Sequence, residues 1–217
     1  MCLLKVPRAA VLRIPQFLYH TDASFQFWVI HEKNDNMTSM KKPILLTEFR
    51  STARLSARDM RLVRLYTALA SEVFEDLLRA LIVPSRPGQR YLVSLLICGD
   101  NRIQQLNRDY RNKDKPTDVL SFPAHENLRK LSPSEDEVFL GDLAISIPTA
   151  RRQAKEFHIT VWDEFIHLYF HGLLHLLGFD HEISEKEEKL MQKWEDRALT
   201  LISDKKKGEP KLPSKKN

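Results

Sequence analysis

Eleven residues, HGLLHLLGFDH at 171–181, constrain this chain more than any other stretch. Three of its eight histidines fall there, at offsets 0, 4 and 10, with glycine at offset 7. The run VWDEFIHLYFHGLLHLL leading through them is long and apolar, which predicts a buried helix. Thr160 and Asp163 open it as a capping box with Asp in place of the usual Glu. Gly178 closes it as a left-handed C-cap. On such a helix His171 and His175 lie about 40° apart and one turn apart, so both imidazoles can reach one metal ion. The turn at Gly178 then lets His181 supply a third nitrogen. Three neutral nitrogens with a fourth position left open describe a catalytic zinc site better than a structural one. Three imidazoles also suit nickel or copper.

The offsets match the long zincin pattern H-E-x-x-H-x-x-G-x-x-H of metalloproteases, with one departure. In that pattern the residue after the first histidine is the glutamate that acts as general base. Here it is Gly172, which cannot accept a proton. The chain keeps the metal-holding spacing without the protease's base, so a zincin-type metallopeptidase is the alternative reading. His167, one turn before His171, stays outside the ligand set because a fourth ligand would close the open position.

The rest of the chain reads as one domain with extensions. PILLTEF (43–49) is strand-like, and a helical pattern with Met60, Val63, Leu69, Val73, Leu77 and Leu81 follows, capped by Ser56 and stopped by Pro84. RYLVSLLIC (90–98) is a strand apolar on both faces. NRIQQLNRDYR is a helix presenting Ile103, Leu106 and Tyr110. VLSF (119–122) and VFLGDLAISI (138–147) are strands separated by a polar loop, Pro148 opens a short helix to Phe157, and Ser184 with Glu187 caps a last helix. The order β-α-β-α-β-β-α-α-α predicts an α+β domain: a small mixed sheet of about four strands with helices packed on it, one of them the zincin-like metal helix. Its expected bounds are 41–204. Residues 1–40, with Pro7, Pro15 and two methionines at 37 and 40, are expected to be an extension or sequence upstream of the true start. The lysine-rich residues 205–217 are expected to form a disordered basic tail. Two cysteines, one terminal and one in an apolar run, point to a reducing, cytoplasmic setting, and no stretch is apolar for the length of a membrane span. The formal net charge of +5 is compatible with an acidic or nucleic-acid partner.

A second constellation lies in NRDYRNKDKPTDVLSFP (107–123), where Arg108, Arg111, Lys113 and Lys115 crowd a helix end and the following loop. Basic groups on a loop grip phosphate, arginine with two prongs. LNRDYRNKDKPTDVLSFP, LGDLAIS and HGLLHLLGFDH, in that order, resemble the YbeY family of single-strand-specific metallo-endoribonucleases over residues 43–203. The resemblance implies an α+β zincin-like fold with one zinc ion on His171, His175 and His181. It also implies a functional arginine, here Arg111, and single-stranded RNA in a cleft between the loop after the 101–111 helix and the metal helix. It implies a role in rRNA maturation at the 16S 3′ end and in ribosome quality control, with ribosomal partners. The nucleophile, a metal-activated water or the ribose 2′-hydroxyl, stays open. A ribosome-associated RNA-binding factor with a structural metal is the other alternative.

Because Gly172 stands where a protease needs its base, metal-replete protein should leave casein and generic peptides uncut. Peptide cleavage at enzyme-like rates, abolished by a chelator, would promote the peptidase reading.

Overall fold

The computed structural model describes residues 4–5, 43–80, 83, 85–126, 128 and 136–208. Among the described residues a mixed sheet carries five strands: β1 (Leu4–Lys5), β2 (Ile44–Ser51), β3 (Arg90–Cys98), β4 (Val119–Pro123) and β5 (Glu137–Ser146). The helices among these residues are α1 (Ala57–Ala80), α2 (Asp100–Arg111), α3 (Ile147–Glu156), α4 (Val161–Leu176) and α5 (Glu185–Gly208). The strand order is β1-β4-β5-β3-β2. β2, β3 and β5 run parallel, and β4 runs antiparallel to β5.

The four longer strands and all five helices stand where the patterning predicted them. β1 is an addition: two residues of the 1–40 segment pair with Leu120 and Ser121 of β4. The remainder of that segment, Leu81 and Pro84, and residues 209–217 lie outside the described residues. α5 continues four residues past the expected boundary at 204.

The alternation of side chains along the strands divides the core in two. On one face Leu45, Phe49, Tyr91, Val93, Leu95, Ile97, Leu143 and Ile145 meet α1, α4 and α5 in the large cluster. On the other, Leu96, Cys98, Leu120, Phe122 and Ala144 meet Ile103 and Leu106 of α2. Tyr110 closes that side edge-on against Phe122, with ring centroids 5.2 Å apart. β3 is thus apolar on both faces because a helix covers each. Cys98 is fully buried there, and burial pushes its thiol up to about 12, so it is an inert core residue.

α4 is the central helix, packed on β4 and β5 and flanked by α1, α3 and α5. Phe165, Leu168, Tyr169, Phe170, Leu173 and Leu174 are all fully buried. Each such burial stabilises by about 1.5–3 kcal/mol, so the core alone holds this helix in place. The Tyr169 hydroxyl also meets the Thr47 hydroxyl of β2 at 2.7 Å, which satisfies two buried polar groups at once. Thr160 and Ser184 cap their helices as predicted, each hydroxyl accepting from the N–H three residues on. Asp163 N–H donates to Thr160 Oγ1 at 3.1 Å, and Glu187 N–H to Ser184 Oγ at 3.3 Å. Ser56 and Asp59 make a third, reciprocal pair at the head of α1.

β5 contains a bulge. Leu92 is opposite Phe139 but Val93 is opposite Gly141, leaving Leu140 as the extra residue. Gly141 has φ of +137°, and a Cβ there would sit 2.2 Å from the Phe122 carbonyl oxygen. Both the dihedral and the contact exclude a side chain. Gly141→Val should therefore destabilise the domain by about 2–4 kcal/mol, read as a lower urea midpoint. An unchanged midpoint would show that the bulge relaxes at no cost.

Candidate metal centre

α4 carries Glu164, His167, His171 and His175 at helical spacing along one side. The rings of His171 and His175 have centroids 4.7 Å apart, and His181 lies 5.3 and 5.1 Å from them. One ligand nitrogen from each can be chosen so that all three lie within 4.8 Å of one another. Hydrogen bonding settles which nitrogens face inward on the helix. His175 Nδ1 is 3.0 Å from the Phe179 carbonyl oxygen. A carbonyl only accepts, so neutral His175 carries its proton on Nδ1 and its lone pair on Nε2. His171 Nδ1 lies 2.5 Å from Glu195 Oε1, and an ionised carboxylate imposes the same tautomer. The two Nε2 atoms then converge at 3.0 Å. Two lone pairs brought that close suit a shared cation. His181 Nδ1 is buried without a hydrogen-bond partner. The donor set, neutral imidazoles with an orphaned third, fits a borderline-soft divalent metal such as zinc.

The turn after α4 shapes the site. Phe179 N–H donates to Leu174 O at 3.0 Å and Gly178 N–H to His175 O at 3.1 Å, the two bonds of a Schellman motif. It needs the φ of +97° that Gly178 adopts. That reversal aims the Phe179 carbonyl at His175 and returns the chain so that His181 faces the helix. Gly172 has a separate reason. A Cβ there would lie 2.7 Å from Leu143 Cδ2 and 3.4 Å from Val119 Cγ2 and Ser121 Oγ. Position 172 faces the sheet, in a close-packed contact. A protease's glutamate at this position would start from a Cβ that crowds Leu143 on the sheet.

Against this geometry stand the matches to known proteins. A sequence model described as Endoribonuclease YbeY matches residues 59–203, more than half of the chain. The chain belongs to the YbeY family. A Persephonella marina protein named Endoribonuclease YbeY is 46% identical over 110 residues, 51% of this chain and 69% of its own length. Its namesake in Leptospira interrogans is 45% identical over 121 residues and 86% of its own length. That of Caldicellulosiruptor bescii is 41% identical over 134 residues, 59% of this chain and 84% of its own length. A solution structure from Thermotoga maritima aligns at a TM-score of 0.48 and 23% identity, over 77% of this chain and 97% of that one. Membership in the YbeY family rests on the sequence matches, not on that likeness.

The basic residues read from the sequence lie on α2 and the loop after it, the histidines on α4 and the turn after it. Arg111 ends α2, half-buried, with Nε and Nη1 inaccessible to solvent. Arg108 is exposed and pairs with Asp109 at 3.3 Å and Asp114 at 3.7 Å. Lys113 and Lys115 lie on the following loop, which Asn107 steadies by donating to the Lys115 carbonyl at 2.8 Å. α2 lies on the sheet face away from α4. The loop 112–118 carries the chain round to β4, whose Val119 and Ser121 lie beneath Gly172. The two constellations of this YbeY-family chain therefore share one strand.

Two acids of the site were not singled out from the sequence. Glu195 reaches His171 from α5, 24 residues away. The signal was an acid on that helix's apolar stripe, between Met191 and Ala198. Glu164 is buried near the start of α4, its Oε2 3.6 Å from His167 Nδ1. The bond to Glu164 raises the His167 pKa above 6.5. Burial opposes the shift, and the charges of Glu164, Glu195 and Asp118 add to it. A raised folded-state pKa lends stability that is fully present below pH 6.5 and lost as pH climbs through the raised value. In metal-free protein, the stability advantage of wild type over His167→Gln should shrink as pH rises above 6.5. An advantage independent of pH, read from urea melts, contradicts the pairing with Glu164.

Proposed function

We propose that this chain is a metal-dependent endoribonuclease that cleaves single-stranded RNA. We propose further that it acts in the cytoplasm in rRNA maturation, at the 16S 3′ end, and in ribosome quality control, with the ribosome or its proteins as partners. The observation that carries the reading is the convergence of His171, His175 and His181 in a chain of the YbeY family. Its relatives are named as endoribonucleases. The net charge of +5 accords with an RNA substrate, and among the described residues no helix is long and apolar enough to cross a membrane.

His171, His175 and His181 would hold the metal, with zinc the choice that fits three imidazoles. Bound there, it would supply Lewis acidity toward a phosphoryl oxygen and acidify water toward a pKa of about 7. The protein's own residues do the rest. Glu195 and the Phe179 carbonyl hold the helical imidazoles in one tautomer each. The sheet contact at Gly172 leaves no side-chain base at that position. Phosphodiester hydrolysis then differs from peptide hydrolysis by zincins in drawing its base from elsewhere. Arg111 is assigned to the charge that builds on the phosphate, and Arg108, Lys113 and Lys115 to binding the RNA backbone.

The test is single-turnover cleavage of a single-stranded RNA by zinc-loaded chain at saturating enzyme. Cleavage is expected, abolished by a chelator. Arg111→Ala should retain the metal and the fold yet slow cleavage about a hundred- to a thousandfold. Arg111→Lys should recover only part, since an ammonium keeps the charge but not the fork. Arg108→Ala and Lys113→Ala should be compensated by more RNA. A metal-loaded chain that binds RNA without turnover would favour the binding factor with a structural metal. Wild-type cleavage by Arg111→Ala would remove Arg111 from the chemistry.

A further inference from the structure

We infer that Glu195 is a positioning residue for the metal. Its carboxylate fixes the tautomer and orientation of His171, so that the site's affinity depends on α5 as well as on the three histidines. The inference rests on the reading of those histidines as metal ligands.

Three observations carry it. The first is the contact: Glu195 Oε1 lies 2.5 Å from His171 Nδ1, with the two side chains 15% and 7% exposed. A carboxylate that accepts the Nδ1 proton of a ligating imidazole holds the ring in plane and makes its other nitrogen a stronger donor. The second is where Glu195 stands. It occupies the stripe of α5 formed by Met191, Ala198 and Ile202, each buried against the core. A largely buried carboxylate there pays a desolvation cost unless it is paired, and His171 supplies the pair. The outward face of α5 already carries exposed acids, Glu185, Glu188 and Asp196 among them, so solubility does not call for one on the stripe.

The third observation is the asymmetry between the two helical ligands. His175 Nδ1 donates to a backbone carbonyl that the Schellman turn fixes. His171 has a partner from another element, held in place by the docking of α5. That docking has its own contacts, among them Arg197 Nη2 to Asp76 Oδ2 on α1 at 3.3 Å. Charge and docking can therefore be separated by substitution.

The experiment titrates zinc into the full-length chain against a competing chelator, for wild type, Glu195→Ala, Glu195→Gln and Asp76→Ala, with a thermal melt of each. Glu195→Ala should weaken zinc binding about ten- to a hundredfold. Glu195→Gln keeps the size and an oxygen that accepts the Nδ1 proton but removes the charge, so it should bind more weakly than wild type and more tightly than alanine. Asp76→Ala, which loosens the α5–α1 contact without touching His171, should bind within twofold of wild type. If alanine costs the fold, the near-isosteric glutamine variant decides. Zinc affinity of Glu195→Gln and Glu195→Ala equal to wild type overturns the inference while leaving the metal site intact. So does a loss in Asp76→Ala as large as that in Glu195→Ala, because docking of α5 would then explain both. A wild-type chain that takes up no zinc overturns the metal reading and this inference together.

Discussion

At Gly172 α4 packs closely on β4 and β5, the sheet face against which the helix carrying His171 and His175 is set. With no side chain at 172, the helix axis comes close enough for Leu143, Val119 and Ser121 to pack on its backbone. The next residue in either direction is turned about 100° round the helix. His171 therefore points sideways along the sheet surface, into the space bounded by α5 and the turn. His175 follows one turn on. A side chain at 172 would have to displace Leu143 Cδ2, 2.7 Å from the added Cβ, in a close-packed core.

Apolar burial and polar contacts divide the work of building the centre. The aromatic and leucine side chains of α4 fix the helix with no contribution from a metal, unlike a zinc finger, whose fold and metal are one event. The polar contacts then act on a framework already in place. The Phe179 carbonyl and the Glu195 carboxylate each hold one imidazole by its Nδ1, leaving both Nε2 lone pairs converging. A preorganised set of this kind spends little of its binding energy on ordering the ligands.

Much of this was legible in the sequence because it is local. Helix periodicity, the Thr160 and Ser184 caps, and the glycine at offset 7 all act within a few residues, and each caps or turns the chain where it was read. The three histidines are equally local, since a helix and one tight turn suffice to gather them. What the sequence hid is what the fold brings from afar. Glu195 looks like one more acid on a charged helix until α5 docks against α4. Glu164 resembles a favourable first-turn acid, yet it is buried beside His167. The role of Gly172 was half visible: the sequence showed which base was missing, and only the structure shows that a Cβ there would crowd Leu143 of the sheet. The pairing of Leu4–Lys5 with β4 carries too little pattern in two residues to be anticipated.

The central claim is that His171, His175 and His181 form one metal site. Its most direct test is elemental analysis of purified full-length chain, wild type beside His175→Ala, with the fold of each checked by its thermal melt. The account predicts close to one zinc per wild-type chain and a large loss in the variant, with a cooperative melt retained in both. Equal metal content in the two proteins would contradict it.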